Sequence, residues 1–382
     1  MIHRVDTVVI GGGPAGMSCA ITLQKNKRSN LVVEKKSFPR DKTCGGLVTN
    51  KTVRLLSTKL NASESFDLSD VLCDSGNLVE MYYQNTLLTR STVSKKFSFV
   101  KREVFDSYLA RQYTSLGGNL LENCSCASMD LPNHKILLTN NDTVEFQHLI
   151  VADGALSSTR KALGYQSPKL GFCIETHVPK SKLPYHGEIK IYFGIVKKGY
   201  AWIFPSGDEV CIGLGGIYQK GIKYDHLLKQ FLASLHLDAQ AYPLKGAFVP
   251  YGNAMKQNHR SDDVILVGDA GGFVDPIYGE GLYFAIASGI EAANTILSNE
   301  AKIRPAFMKR TSSFVKTIHQ GHVLQKIFFQ AGVLKAFQKV VLHKNRFVGF
   351  YCDHQVSEYT YSYAKLWKLY RDYKRRKNNV DL

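Results

Sequence analysis

The sequence predicts an α/β protein: a parallel-sheet domain, split by an inserted antiparallel sheet and followed by a C-terminal helical segment. Three observations carry this. Short β-branched runs end in glycine or aspartate turns, as in "VDTVVI" before "GGGPAG", "HLIVADG" and "DVILVGDA". Between them lie alternating runs, "EIKIYFGIV" and "YAWIFPSGDEVCIGLGG", which suit strands with one buried face. From residue 301 onward the pattern is helical and basic.

Taken in order, residues 5–10 predict a buried strand, "MSCAITLQKNK" a helix and "NLVVEKK" a second strand. This is a βαβ unit of about 30 residues. Its turn carries Gly11, Gly13 and Gly16 as G-x-G-x-x-G, with Pro14 and Ala15 inside it. Gly11 permits the tight turn, Gly13 lets the backbone approach a pyrophosphate, and Gly16 allows close helix–strand packing. Free N–H groups and the dipole at the helix start favour an anion. Glu34 ends the second strand about 20 residues on, placed to accept from a ribose 2′-OH and to repel a 2′-phosphate. The unit predicts dinucleotide binding but does not separate FAD from NAD. The expected nucleotide domain comprises residues 1–70, 100–165 and 262–300. The inserted sheet comprises 71–99 and 166–261, and the helical, basic region 301–382.

The 382 residues carry a formal charge of +17, which favours an anionic partner. No nucleic-acid recognition motif accompanies it. The eight cysteines show no zinc spacing and no disulfide framework, so they read as thiols of a reducing, cytoplasmic compartment. The histidines lack metal spacing, and no metal site, signal peptide or transmembrane run is expected.

Several motifs resemble flavoproteins of the p-hydroxybenzoate hydroxylase fold, and within it the geranylgeranyl-reductase-like branch. "VVIGGGPAGMSCA" and "VVEKKSFPRDKTCGG", with Lys35 and Arg40, are similar to the family's N-terminal FAD region. "VKREVFDSYLA" resembles its arginine helix, with Arg102 in the arginine position. "VADGALSSTRKALG" resembles its Asp-Gly motif at Asp153 and Gly154. "VGDAGGFVDPIYGEGLYFAIASG" resembles its Gly-Asp motif and glycine loop, and "GYAWIFP" its Tyr-x-Trp-x-Phe-Pro strand. Ser206 stands where that branch often has Lys.

The resemblance implies a Rossmann-like FAD-binding domain. Asp269, just past a strand end, would bind the ribityl hydroxyls of FAD. Pro276, Gly279, Gly281 and Leu282 would form a turn whose N–H groups face the flavin pyrimidine, where negative charge develops. Cys44, Gly45 and Gly46 would lie beside the ring. Cys44 is then a proton donor, a redox partner or a small packed residue. Tyr200 and Trp202 share one side of a strand and would make an aromatic wall for a hydrophobic substrate, with Tyr200 a further candidate acid.

The implied activity is reduction of carbon–carbon double bonds in an isoprenoid-like substrate by hydride transfer from reduced flavin. The alternatives are a monooxygenase, in which reduced flavin captures oxygen, and a non-enzymatic flavin redox sensor. "GLGG" at 213–216 sits in a β-like run, so electrons are expected from NAD(P)H at a transient site, or from a ferredoxin or quinol. The segment 324–347 and the tail 365–379 have helical, basic, apolar spacing. In the tail, Leu366, Leu369, Tyr370 and Tyr373 form one stripe beside Trp367. Such a helix lies on an anionic membrane or caps a domain.

Overall fold

The computed structural model describes residues 1–60, 68–251, 261–330 and 345–357, and positions 368, 371, 372 and 375. Two sheets organise them. The first contains β1 (Ile2–Ile10), β2 (Asn30–Val33), β6 (Asn119–Leu121), β7 (Cys126–Asp130), β8 (Lys135–Leu138), β9 (Thr143–Val151) and β15 (Val264–Leu266). Its order is β6-β2-β1-β9-β8-β7, with β15 also on β9.

β6, β2, β1, β9 and β15 pair in parallel. β2 is buried at every residue and β1 from Thr7 to Ile10, as strands covered on both faces must be. Alternation sorts the side chains. Val9, Val32 and Ile150 face α1 (Pro14–Lys25), α3 (Arg102–Ser115) and α6 (Leu282–Leu297). Val8, Leu31 and Leu149 pack with Ile136, Leu138 and Val144 on the other face. A Cβ on Gly16 would overlap the Gly11 carbonyl oxygen, so only glycine lets α1 cross β1 this closely. β7 and β8, which extend the sheet antiparallel from β9, have no counterpart among the strands read from sequence. β7 is largely exposed and mixed in composition, so it shows no clear alternation.

The second sheet contains β3 (Leu47–Val48), β4 (Leu72–Tyr83), β5 (Thr86–Val100), β10 (Leu170–Pro179), β11 (Ile189–Phe193), β12 (Gly199–Ser206), β13 (Glu209–Ile217) and β14 (Lys245–Pro250). The order is β14-β10-β13-β12-β11-β4-β5-β3. The expectation of an antiparallel sheet needs one correction: β11 pairs with β4 in parallel. After β5 the chain leaves for the first sheet and returns at β10, so β11 meets β4 through a long crossover rather than a hairpin. Gly213–Gly216 lie within β13, as their β-like context predicted.

One face of this sheet buries Ile174, Ile203, Ile212 and Leu214 against α5 (Tyr224–Ser234). The other face carries Tyr200, Trp202 and Phe204. Among the described residues, three further α-helices follow: α7 (Ile303–Arg310), α8 (Ser312–Phe328) and α9 (Asn345–Tyr351). Val348 of α9 joins the cluster of Phe97, Trp202 and Phe204. The tail stripe and Trp367 lie outside the described residues. Among the described residues no helix is long and apolar enough to cross a membrane.

Candidate active site

A cavity of about 1300 Å³ runs between the two sheets. One end is the turn after β1. Gly13 precedes α1 with no side-chain cap, and Pro14 occupies the first turn, so the opening N–H groups of α1 stay available. Glu34 Oε2 accepts from Gly12 N at 2.8 Å and Oε1 from Lys36 N at 3.2 Å, which fixes the carboxylate at the rim of this turn. Arg40 sits across it, 3.6 Å from Glu34 Oε1 and 3.1 Å from Asp106 Oδ2. Arg102 is held by the same aspartate, donating from Nε at 2.8 Å and Nη2 at 3.0 Å. On the facing loop, Asp153 Oδ2 accepts from Thr159 N at 3.1 Å. The Arg160 guanidinium, buried, donates to Ala155 O and Ala270 O, tying that loop to the one carrying Asp269.

The middle of the cavity meets the segment 275–282. Asp275 Oδ1 accepts from Ile277 N at 2.8 Å and Tyr278 N at 3.3 Å, and Asp275 N donates to Glu280 O at 2.9 Å. These bonds close the turn before α6 begins at Leu282. Four side chains from three other elements or loops clamp it. Tyr200 Oη donates to Tyr278 O, and Gln325 Nε2 to Pro276 O. Thr49 Oγ1 donates to Glu280 Oε1 at 2.7 Å, and Lys51 pairs with Glu280 Oε2. Both side chains of this ion pair are largely covered, and burial pushes the Lys51 ammonium below its ordinary value while Glu280 opposes the shift.

The floor is the face of β10, β13 and β12. The register sets Glu175, Gly213 and Trp202 in one row, and His177, Cys211 and Phe204 in the next. The Trp202 ring lies across Gly213, where a Cβ would overlap it. Its Nε1 donates to Cys211 Sγ at 3.5 Å, and Cys211 Sγ to Glu175 Oε2 at 3.6 Å. Glu175 Oε1 accepts from Cys44 N at 2.6 Å. Glu175 is 4% exposed. Burial raises its carboxyl to about 7; the Cys44 and Cys211 bonds oppose this, Asp41 adds to it and Arg102 counters it.

The cavity therefore gathers nearly every residue singled out in the sequence: Gly11, Gly13, Pro14, Ala15, Glu34, Lys35, Arg40, Cys44, Gly45, Gly46, Arg102, Asp153, Gly154, Tyr200, Trp202, Asp269, Gly279, Gly281 and Leu282. Gly16 and Pro276 are absent from its wall. Gly16 packs against Gly11, and Pro276 is bound through its carbonyl to Gln325. Tyr200 departs from its expectation as an acid. Its hydroxyl proton points at a backbone carbonyl and burial pushes its pKa up, which is the geometry of an anchor. Glu175, Arg160 and the Lys51–Glu280 pair were not singled out in the sequence.

Beyond Trp202 the cavity becomes apolar. Val79 and Met81 of β4 stand beside Ile189 and Ile191 of β11, in register and on one face. Val323, Leu324 and Ile327 of α8 and Val348 of α9 cover them. α8 also brings the neutral amide of Gln320, and His319, to the cavity wall.

The residues at the polar end fit a dinucleotide. Asp153 Oδ1 and Arg40 Nε are buried there without a hydrogen-bond partner in the protein, one acceptor and one donor, beside the open N–H groups of α1. Together with Asp269 and the 275–282 turn on the same cavity wall, they define the class: an FAD-dependent oxidoreductase. A family profile described as pyridine nucleotide-disulphide oxidoreductase matches residues 5–179. An uncharacterized protein of Methanosarcina barkeri is 31% identical over 305 residues, 78% of this chain and 76% of that protein. The chloroplastic geranylgeranyl diphosphate reductase of Arabidopsis thaliana is 26% identical over 370 residues, 86% of this chain and 75% of the relative. A geranylgeranyl bacteriochlorophyll reductase-like structure from Thermoplasma acidophilum superposes with a TM-score of 0.78 at 19% identity, covering 97% of this chain and all of that one. The chain belongs to the geranylgeranyl reductase-like family of FAD-dependent oxidoreductases.

Proposed function

We propose that the chain reduces carbon–carbon double bonds in a long, apolar, isoprenoid-like substrate. The observation that carries this reading is the continuity of the cavity. It passes from the dinucleotide cradle, over the Trp202–Cys211–Glu175 floor, into a compartment walled by Val79, Met81, Ile189, Ile191 and the apolar face of α8. A linear hydrocarbon chain fits that compartment, because burying it releases water without stranding a charge. The name of the Arabidopsis relative is consistent with such a substrate.

In this reading the open N–H groups of α1, Arg40 and Asp153 hold the cofactor's diphosphate and sugar groups, and Asp269 its ribityl chain. FAD supplies two-electron transfer when bound. The chain's own part is to position and to dry the site. The clamped 275–282 segment would offer the N–H groups its internal bonds leave free, at the start of α6, to the ring of the bound cofactor, where such preorganised donors would favour negative charge. Trp202, Phe204 and Tyr200 hold one face of the substrate and exclude water.

The electrons are proposed to come from a diffusible donor, NAD(P)H or a reduced ferredoxin or quinol, and the basic charge suits a phosphate or an acidic carrier. Peripheral contact with an anionic membrane through the basic C-terminal region would deliver a lipid-like substrate. The test mixes dithionite-reduced, FAD-loaded full-length protein with geranylgeranyl diphosphate without oxygen. Products that gain pairs of hydrogens, seen by mass spectrometry, are expected. Turnover that requires oxygen and yields a hydroxylated product would instead establish the monooxygenase alternative.

A further inference from the structure

We infer that Glu175 is the proton donor of this site. The inference rests on the alkene-reduction reading. Adding hydrogen to a double bond takes a hydride at one carbon and a proton at the other. The hydride comes from a reductant of the reduced-flavin class. The second carbon needs an acid that reaches the cavity and holds a proton in the absence of bulk water.

The two other acids considered in the sequence are badly placed for this. The Tyr200 hydroxyl is engaged with Tyr278 O in the clamp of the 275–282 turn. The Cys44 side chain is engaged by the Arg102 guanidinium. Glu175 lies between them on the floor, lining the cavity. Its two oxygens are unequal. Oε1 is taken by the short bond from Cys44 N, at 2.6 Å. Among the described residues, Oε2 has only the long thiol contact at 3.6 Å, which assigns the proton to Oε2. Trp202 fixes that thiol from the other side and also covers the space above Gly213, which shields the carboxyl from solvent.

The surrounding charges are mixed. Asp41 and Cys44 face the carboxyl from the loop before β3, Arg102 from α3, Cys173 and His177 from β10, Cys211 from β13 and Lys245 from β14. Burial prevails over the cations among them and keeps the carboxyl protonated up to about 7. In the step, the Glu175 O–H bond breaks and a C–H bond forms with the electrons of the alkene π bond. The carboxylate left behind is reprotonated from water.

The test compares wild type with Glu175→Gln, which keeps an acceptor for Cys44 N, as FAD-loaded full-length protein. Geranylgeranyl diphosphate is the probe. Flavin content and dithionite reduction should match wild type, while single-turnover alkene reduction should fall at least about 100-fold. The wild-type rate should drop as pH rises through about 7, and the variant's residual rate should lose that dependence. Infrared difference spectra on the unreacted protein give an independent readout. A protonated-carboxyl band should vanish near neutral pH in wild type and be missing from the variant. A variant that reduces the probe as fast as wild type with the same pH profile overturns the inference alone, as does a wild-type spectrum with no carboxyl titrating near neutral pH. A wild type that reduces no probe overturns both this and the alkene-reduction reading.

Discussion

The two ends of the cavity are built by different means. The dinucleotide end is made of backbone: a turn, an uncapped helix start, and two glycines, Gly11 and Gly16, where a Cβ would collide. The floor under the reacting region is made of side chains held by other side chains, Trp202 on Cys211 and Cys211 on Glu175. Backbone recognition suits a cofactor, whose phosphates are invariant in shape. Side-chain construction suits a substrate and a proton, whose position and pKa have to be tuned by neighbours.

The segment 275–282 tests how sharp that contrast is, since its backbone turn is clamped by side chains. Lys51→Met should leave the Glu280 side chain largely covered with its main counter-charge gone, at a cost of about 3–5 kcal/mol. Chemical denaturation would show the loss, and flavin would dissociate more readily. Lys51→Met combined with Glu280→Leu should recover much of the stability. If the single variant is as stable as wild type, the turn depends on its backbone alone and the contrast is absolute.

The floor should reveal itself through pH. Glu175 has its folded carboxyl raised to about 7 from an ordinary 4.5 by burial. The fold favours the neutral form, so the stability due to that carboxyl is fully present below about 4.5 and is lost as pH rises through about 7. At roughly 1.4 kcal/mol per unit the loss is roughly 3 kcal/mol. Urea titrations at a series of pH values should show wild type weakening by that amount relative to Glu175→Gln. A difference between the two that does not change with pH would mean the carboxyl is solvated.

Gly213→Ala should cost about 1–3 kcal/mol by forcing the Trp202 ring off the sheet. Indole fluorescence should shift with it. This glycine also shows what the sequence could convey. Gly11, Gly13, Gly16 and Glu34 are legible because one βαβ unit contains the whole device, and its rules are those of backbone geometry. Glu175 is not. It stands in "LGFCIETHVP" as one of three polar residues in a strand, and its bond to Cys44 spans 131 residues. Sheet register alone brings Glu175, Gly213 and Trp202 together, and register is a property of the fold. The C-terminal helices illustrate the same limit. Their apolar and basic spacing is visible, but the use of α8 as a wall for the apolar end comes from tertiary packing.

The smallest effect separates an anchor from an acid. Tyr200→Phe removes the hydroxyl that donates to Tyr278 O and leaves the aromatic face in place. A lost hydrogen bond of this kind costs about 1 kcal/mol, because the carbonyl is left without that partner. Alkene reduction should fall less than about tenfold, through a looser 275–282 turn, with the pH profile unchanged. Removing a true proton donor costs on the order of 100-fold or more. A Tyr200→Phe loss of that size, accompanied by a changed pH profile, would transfer the proton from Glu175 to Tyr200. The acid would then belong to the same clamp that shapes the cofactor turn, and the two ends of the cavity would share one device.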